Sequence, residues 1–596
     1  MKKIISLLLA LAVMFSFSLT GTAAFAAEIE YSDIVIGDSE LSETGENAAS
    51  DNAKVIQAAF DEAENNASDK NRYRIYFPKG EYHINTTLNI FSNTELYLDE
   101  NTTLVQDGPK GKNIVTAGAF KQKHILYNGF RNIKIDGGKW DMQFNGSCAM
   151  RFGHCTNLSI SNVHITNIKD AHHIEAAAVD TLSITDSTFT SSRKGSKNTC
   201  EAIQLDILHD TEHFPGFEEF DDTPNKNVTI SGCTFSNLYS GIGTRSAVVS
   251  KYFDNVVIEN NKFENIQEKA IYCFNYKNSK IINNTFTNVN SGICFEYLPN
   301  NFFKNDYSQR MYIANDKSIG KINSKSSTVI SGNVMNIKQM AKSSYGIYAY
   351  GAKIDSNTAK KKGITAGDYT ISDLSIDNNT ITVEENSSKS YGIYITGVNK
   401  SEISSNILTD DYSSAEDGIN GINICASQKN VIKNNNISGT FNNGISIFNK
   451  PFPGSKNLLI TSNSISGVKS FGIRVAESSF ATIKSDNNIS AGKSPLCLYS
   501  KPYNQNVPTP SVKSKGYSLR NKPLIRFSLL NGSAGYKVSR SAYNGTFKEI
   551  ATVYGENLNF EDKSSTAFSK NYYRVTPIYN VGGTIVTGKN YIDIAF

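Results

Sequence analysis

"NLSISNVHITN" (157–167), "TLSITDSTFTS" (181–191) and "NVTISGCTFSN" (227–237) are copies of one pattern. Each is a short strand of alternating apolar and polar residues, then a polar pair built mostly from Asn, Ser and Asp, then another apolar residue. "NVVIENNKFEN", "NSKIINNTFTN", "DLSIDNNTITV" and "NLLITSNSISG" continue the series. A second series falls between its members: "HHIEAAA", "EAIQLDI", "SGIGTRS", "KAIYCFN", "YGIYITG", "NGISIFN". The two alternate at a spacing of mostly 22 to 29 residues from about 145 to 490. That period is too short for a βαβ unit or a propeller blade and lacks the leucine pattern of a horseshoe. It fits one turn of a coil of short strands whose stacked turns bury a continuous apolar interior, with Asn side chains stacking in ladders at the bends. Asn-Gly hairpin turns are rare, which argues against an ordinary sandwich. The pattern predicts an all-β chain built on a right-handed parallel β-helix.

Upstream, "SDNAKVIQAAFDEAENN" carries apolar residues at helical spacing with Asp51 placed as an N-cap, predicting a helix over 51–65 that covers the open end of the coil. The segments "DNAKVIQAAFDEA", "IYFPKGEYHI" and "LYLDENTTLV" resemble the entry segment of pectate-lyase-like and polygalacturonase-like β-helix proteins. With the coil repeats the resemblance covers residues 45 to about 500. It implies a carbohydrate-active protein with an extended groove. Downstream, "KPYNQNVPTPSVKSKG" is unpatterned, and six short alternating segments follow it. They resemble the fibronectin type III domains appended to bacterial secreted glycosidases. The expected division is a signal peptide at 1–26, a β-helix domain at 27–500, a linker at 501–510 and a fibronectin type III-like β-sandwich at 511–596, the last read as a spacer.

The leader "MKKIISLLLALAVMFSFSLTGTAAFA" combines two lysines, an apolar run and Ala24-Phe25-Ala26, a secretory signature. It predicts a secreted, extracellular or cell-surface protein. The formal charge of +4 includes Lys2 and Lys3 of that leader, and the rest is mixed in sign. Nothing in it favours nucleic-acid binding or membrane insertion. The eight cysteines are scattered without CxxC or Cys/His spacing, so they read as small buried apolar residues.

One stretch breaks the rhythm. Residues 209–225 carry six carboxylates, two histidines and three phenylalanines immediately after a strand of the second series. When that series is aligned on its central apolar residue, Met150, Ile174, Ile203, Ile242, Ile271 and Ile293 fill one inward column. The first and third residues after it then face outward. Arg151, Glu175, Gln204 and Tyr272 fall in one outward row, Asp206 and Arg245 in the other. His173 is also expected to point outward. Asp206 and Arg245, like Arg151 and Glu175, become direct neighbours about 4.8 Å apart, and Glu175 lies diagonal to Asp206 at about 8 Å. Arg beside Asp on an exposed ladder is an ordinary stabilising pair. The concentration of acids, arginines and histidines in the first turns, beside a long insertion, points instead to chemistry.

Glycosidic hydrolysis needs one protonated carboxyl and one ionised carboxylate. The expected catalytic residues are Asp206 with Glu175 or Asp222. Arg245 is expected to hold the Asp206 pKa low, making it base or nucleophile, with Glu175 the proton donor. Arg151, Arg245, His173, Glu201, Gln204, Asp221 and Tyr272 are the expected contacts to a polysaccharide or oligosaccharide substrate. Of the polygalacturonase motifs only Asp221–Asp222 looks similar, and it lies on the insertion. "FGHC" around His154 departs from Gly-His-Gly, and no Arg-Ile-Lys occurs. A β-helix glycosidase of another kind, without a cofactor, is therefore expected. Two alternatives stay open. A polysaccharide lyase would use Arg245 or Lys269 as base and Ca²⁺ held by Asp206, Asp221 and Asp222. A non-catalytic glycan-binding surface protein or adhesin would leave the cluster dispensable.

Overall fold

The computed structural model describes residues 28–596 apart from 38–39, 118–122, 192–199, 213, 245, 299–309, 318–319, 339, 341–342, 385–389, 411–418, 449–453, 477–478, 480, 485, 499–511, 528–534, 543–544, 555–557, 569, 582–583 and 588–590. The expected leader, the expected linker and Arg245 lie outside the described residues. Among the rest, 41 strands from Glu30 to Leu498 join one continuous hydrogen-bonded network. Its pairs are parallel throughout, and the chain is a right-handed parallel β-helix.

Each turn of the coil contributes to three sheets. Sheet A holds the second sequence series (for example Glu201–Asp206 and Ser390–Thr396), sheet B the start of the first (Lys226–Ser231, Ile371–Asp377), and sheet C its end (Thr234–Ser236, Thr380–Glu384). The inward column of sheet A runs without a slip from Leu88 and Val115 through Met150, Ile174, Ile203, Ile242, Ile271, Ile293, Ile347, Ile393, Ile422 and Ile445 to Ile473. Inside sheet C, Phe189, Phe235, Phe263 and Phe286 stack nearly parallel at 4.7–4.9 Å.

The bend between sheets B and C explains the polar pairs of the sequence. Their first residue takes the left-handed conformation (Asn260, Asn283, Asn378, Ser405, Asn434, Ser462), which Asn tolerates better than most residues. The second is an asparagine buried in the coil: Asn261, Asn284, Asn333, Asn379, Asn406, Asn435 and Asn463, ending on the half-buried Asn487. In each step the side-chain oxygen accepts from both the backbone N–H and the Nδ2 of the preceding Asn, at 2.9–3.1 Å. The Nδ2 also donates to a sheet B carbonyl one turn back, as Asn379 does to Ile330 at 3.0 Å. Every amide is thereby satisfied without water.

The recurrent glycine before the sheet A isoleucine is required by a close approach. A Cβ at Gly346 would lie 2.5 Å from the carbonyl oxygen of Gly392, and one at Gly392 2.7 Å from that of Gly421.

The capping helix spans Ala48–Asn66, and Asn47 rather than Asp51 takes the N-cap position. Asp51 lies in the first turn, paired with Lys54 at 3.0 Å, where a carboxylate favours the helix dipole. Ile56, Phe60 and Ala63 bury the coil's first turn, and Gln57 exchanges hydrogen bonds with the backbone of Asn89. At the other end, residues 512–595 form two antiparallel sheets around Ile525, Phe527, Tyr536, Val538, Tyr573 and Val575. Seven of the eight cysteines are buried. No helix among the described residues is long and apolar enough to cross a membrane.

Replacing Asn379 by Ala strands the amide partners on both neighbouring turns. We expect a loss of about 1–3 kcal/mol in chemical denaturation, against less than about 0.5 kcal/mol for the exposed Asn436→Ala. Equal effects would show that the ladder contributes nothing specific.

Candidate active site

The outward face of sheet A gathers most of the expected residues. Arg151 pairs with Glu175, and Glu175 with Gln204, while Asp206 stands opposite Ala177, diagonal to Glu175. Arg151 Nε donates to Glu175 Oε2 at 2.5 Å, and the Cys148 thiol donates to the same oxygen at 3.3 Å. Arg151 also reaches the Pro215 carbonyl and lies over the Phe214 ring. The Glu175 carboxylate beside it raises the guanidinium pKa despite burial.

Asp206 is fully buried. Its Oδ1 accepts from the Ile207 N–H at 2.9 Å and its Oδ2 from Gln204 Nε2 at 2.5 Å. Burial, with the nearby Glu175 charge adding to it, pushes its pKa up to about 8. The neutral carboxyl fits its surroundings. Gln204 Oε1 is buried without a partner, and exchanging the two amide atoms lets it accept the Asp206 proton.

The structure corrects several expectations. Asp206 is held up rather than down in pKa, because desolvation governs it. His173 points inward: the chain kinks at the residue before the isoleucine column. Its ring packs edge-on against Phe189 at 5.8 Å, with Nε2 3.0 Å from the Thr190 carbonyl. Asp222 and Asp221 do not face Asp206 but tie the insertion down. Asp222 Oδ1 lies 2.5 Å from His209 Nδ1, and its Oδ2 accepts from the Asn315 N–H at 2.5 Å. Asp221 Oδ2 accepts from the Leu126 N–H at 2.6 Å. Asp206, Asp221 and Asp222 therefore do not converge, and no group of three or more His, Cys, Asp or Glu forms a cation site among the described residues.

The insertion roofs the pair: Leu208 and Phe214 pack with Ala177 and Ala178, and Phe217 and Phe220 rest against them. A second insertion locks the first, since Asn315 Nδ2 donates to the carbonyls of His209 and Phe220, and Tyr312 lies against the His209 ring at 4.3 Å. This clasp left no periodic trace in the sequence.

Farther along the face, Glu201 is opposite Ser240, and His172 Nδ1 lies 2.7 Å from the Glu201 carbonyl. Lys269 lies over the Tyr272 ring at 4.2 Å, and the Tyr272 hydroxyl donates to Glu296 at 3.2 Å. Glu296 and the tyrosines 345, 348, 391 and 394 belong to the same face. Glu296 ends its strand just before the segment that carries Tyr312 and Asn315.

Comparison with known proteins agrees with the fold. A family model described as rhamnogalacturonase A/epimerase, pectate lyase-like, matches residues 44–252, and one described as right-handed beta helix region matches 222–381. A third, the periplasmic copper-binding protein NosD, matches 323–507. Among curated proteins, plasmin and fibronectin-binding protein A of Streptococcus pneumoniae is 25% identical over 322 residues, which is 48% of this chain and 43% of that protein. The chain thus spans under half the length of this relative. Crystals of the S. pneumoniae surface adhesin PfbA overlay with TM-score 0.45 and 18% identity, covering 87% of this chain and 100% of that one. A mutant tailspike of E. coli bacteriophage HK620 bound to a pentasaccharide gives 0.49 and 12%, covering 94% and 92%.

Asp206 supplies a pH test. Its folded-state pKa lies above the unfolded value, so its contribution to stability is full below pH 3.8 and is lost as pH rises towards about 8. The melting temperature of the wild type should fall relative to Asp206→Asn across that window. A constant difference would mean that the carboxyl ionises normally.

Proposed function

We propose that this chain is an extracellular glycoside hydrolase, with Asp206 as proton donor and Glu175 as the ionised carboxylate. The observation that supports it most is the pairing on adjacent strands of two carboxyl groups in unlike environments, one buried without a cation among the described residues and one bound to Arg151. In this reading the Asp206 proton passes to the departing glycosidic oxygen. Glu175 takes a proton from water as its oxygen bonds to the anomeric carbon, or attacks that carbon itself. The roles are the reverse of those expected from ideal strand spacing. Substrate reaches the pair when the segment carrying Phe214 and Phe217 lifts, and the His209–Asp222–Asn315 contacts set how readily it does so. The C-terminal pair of sheets serves as a fibronectin type III-like spacer.

A second reading, a non-catalytic surface adhesin, is favoured by the name of the curated relative, which binds plasmin and fibronectin. The two readings separate on one assay. Incubated with a glycan panel, wild-type protein should release products heavier by one water, whereas a lyase leaves an unsaturated product absorbing in the near ultraviolet. Asp206→Asn and Glu175→Gln should each lower turnover by about 10²–10⁴-fold while the protein stays folded. Binding without product in the wild type would favour the adhesin, and full turnover in both variants would remove the pair from the mechanism.

A further inference from the structure

Past Glu296 the character of sheet A's outward face changes. The strands Ser344–Tyr350, Ser390–Thr396, Asn420–Cys425 and Asn443–Phe448 stack in register. Along the outward rows Tyr391 is followed by Asn420 and Asn443, and Tyr394 by Asn423 and Ser446. Tyr345 stacks on Tyr391 at 5.6 Å, Tyr391 meets Tyr394 edge-on at 5.0 Å, and Tyr394 meets Phe448 at 5.8 Å. Tyr345, Tyr391, Tyr394 and Phe448 are each half-buried, so they offer ring surface to solvent.

Between these rings the amides are sunk. Asn423 and Asn443 are each only 4% exposed. Asn443 Nδ2 donates to Asn420 Oδ1 at 2.6 Å, but Asn443 Oδ1 and Asn423 Oδ1 accept nothing. A buried amide oxygen left without a donor costs about 1–3 kcal/mol. The asparagines of the ladder, by contrast, are paired through both side-chain atoms. Between Glu296 and Arg474 no outward residue of sheet A carries a charge among the described residues.

We infer that this surface is a sugar subsite for an uncharged ring, in which tyrosine and Phe448 rings take the C–H face of the sugar and Asn423 and Asn443 accept its hydroxyl protons. The inference rests on the reading of sheet A as a glycan groove, and it fixes a substrate class: a neutral glycan rather than a polyuronate. A uronate carboxylate laid over Tyr394 and Asn423 would be desolvated two strands from Arg474, the nearest described cation in that row beyond them. The aromatic faces supply the apolar contact that a sugar ring prefers, and the two empty acceptors supply direction.

The test is calorimetric binding by the full chain of short neutral oligosaccharides (β-linked glucose, galactose, mannose and N-acetylglucosamine chains) and of oligogalacturonate. One neutral chain should bind, with oligogalacturonate at least about ten-fold weaker. Tyr394→Ala and Asn443→Leu should each weaken the neutral chain by about ten-fold. Asn443→Ser, a smaller change, replaces Asn443→Leu if that variant fails to fold. The exposed Asn436→Ala, on sheet C away from this face, should leave this affinity within about two-fold. The subsite therefore stands if the binding pattern holds and turnover is absent, which would sink only the hydrolase reading. Tighter binding of oligogalacturonate, no binding of any neutral chain, or unchanged affinity in the subsite variants would overturn it.

Discussion

From Asn261 onward, each turn of this coil hangs on the asparagine that it shares with the next. The ladder from Asn261 to Asn487 joins neighbouring turns through backbone and side-chain amides together, and each oxygen accepts from both. Such a contact tolerates no slip. A shift of one residue would move the amide out of the interior and leave its partners unmet in a dry core, and would turn every strand over as well. The glycine column of sheet A applies the same constraint from the other side, because the close approach at Gly346 and Gly392 is possible only in register.

Fixed register makes a catalytic surface out of residues far apart in sequence. Arg151 and Glu175 are neighbours because the isoleucine column holds their two strands in register. The junction between sheets A and B can meanwhile grow without disturbing the stack. The insertion after Asp206 does so, and the segment bearing Tyr312 and Asn315 does so again and closes over it. The scaffold is rigid and the roof is separate, which is the division of labour expected where binding or catalysis is placed on loops over a regular core.

Much of this was legible in the sequence. The isoleucine column, the diagonal placing of Glu175 and Asp206, and the Arg151–Glu175 contact all follow from period-two alternation, which the stack obeys. His173 was misplaced because alternation breaks at the kink preceding each column residue, where glycine is usual and a side chain turns inward. Asp221 and Asp222 were misread because nothing periodic relates the insertion to Leu126 or Asn315. The acidity of Asp206 was misjudged for a different reason. Strand spacing supplies neighbours but not depth, and the burial that sets its pKa comes from the insertion folding back. Asp51 shows the same limit in miniature: its type suited an N-cap, but the helix starts earlier, at Ala48.

The central claim is that the outward face of sheet A binds and cleaves a glycan. The most direct measurement is a crystal structure of Asp206→Asn soaked with the oligosaccharide that the wild type binds best. Sugar density should run along sheet A from Glu175 towards Asn443, with a glycosidic oxygen within hydrogen-bonding distance of residue 206. Density confined to sheet B or to the C-terminal sheets, with sheet A empty, would contradict the account.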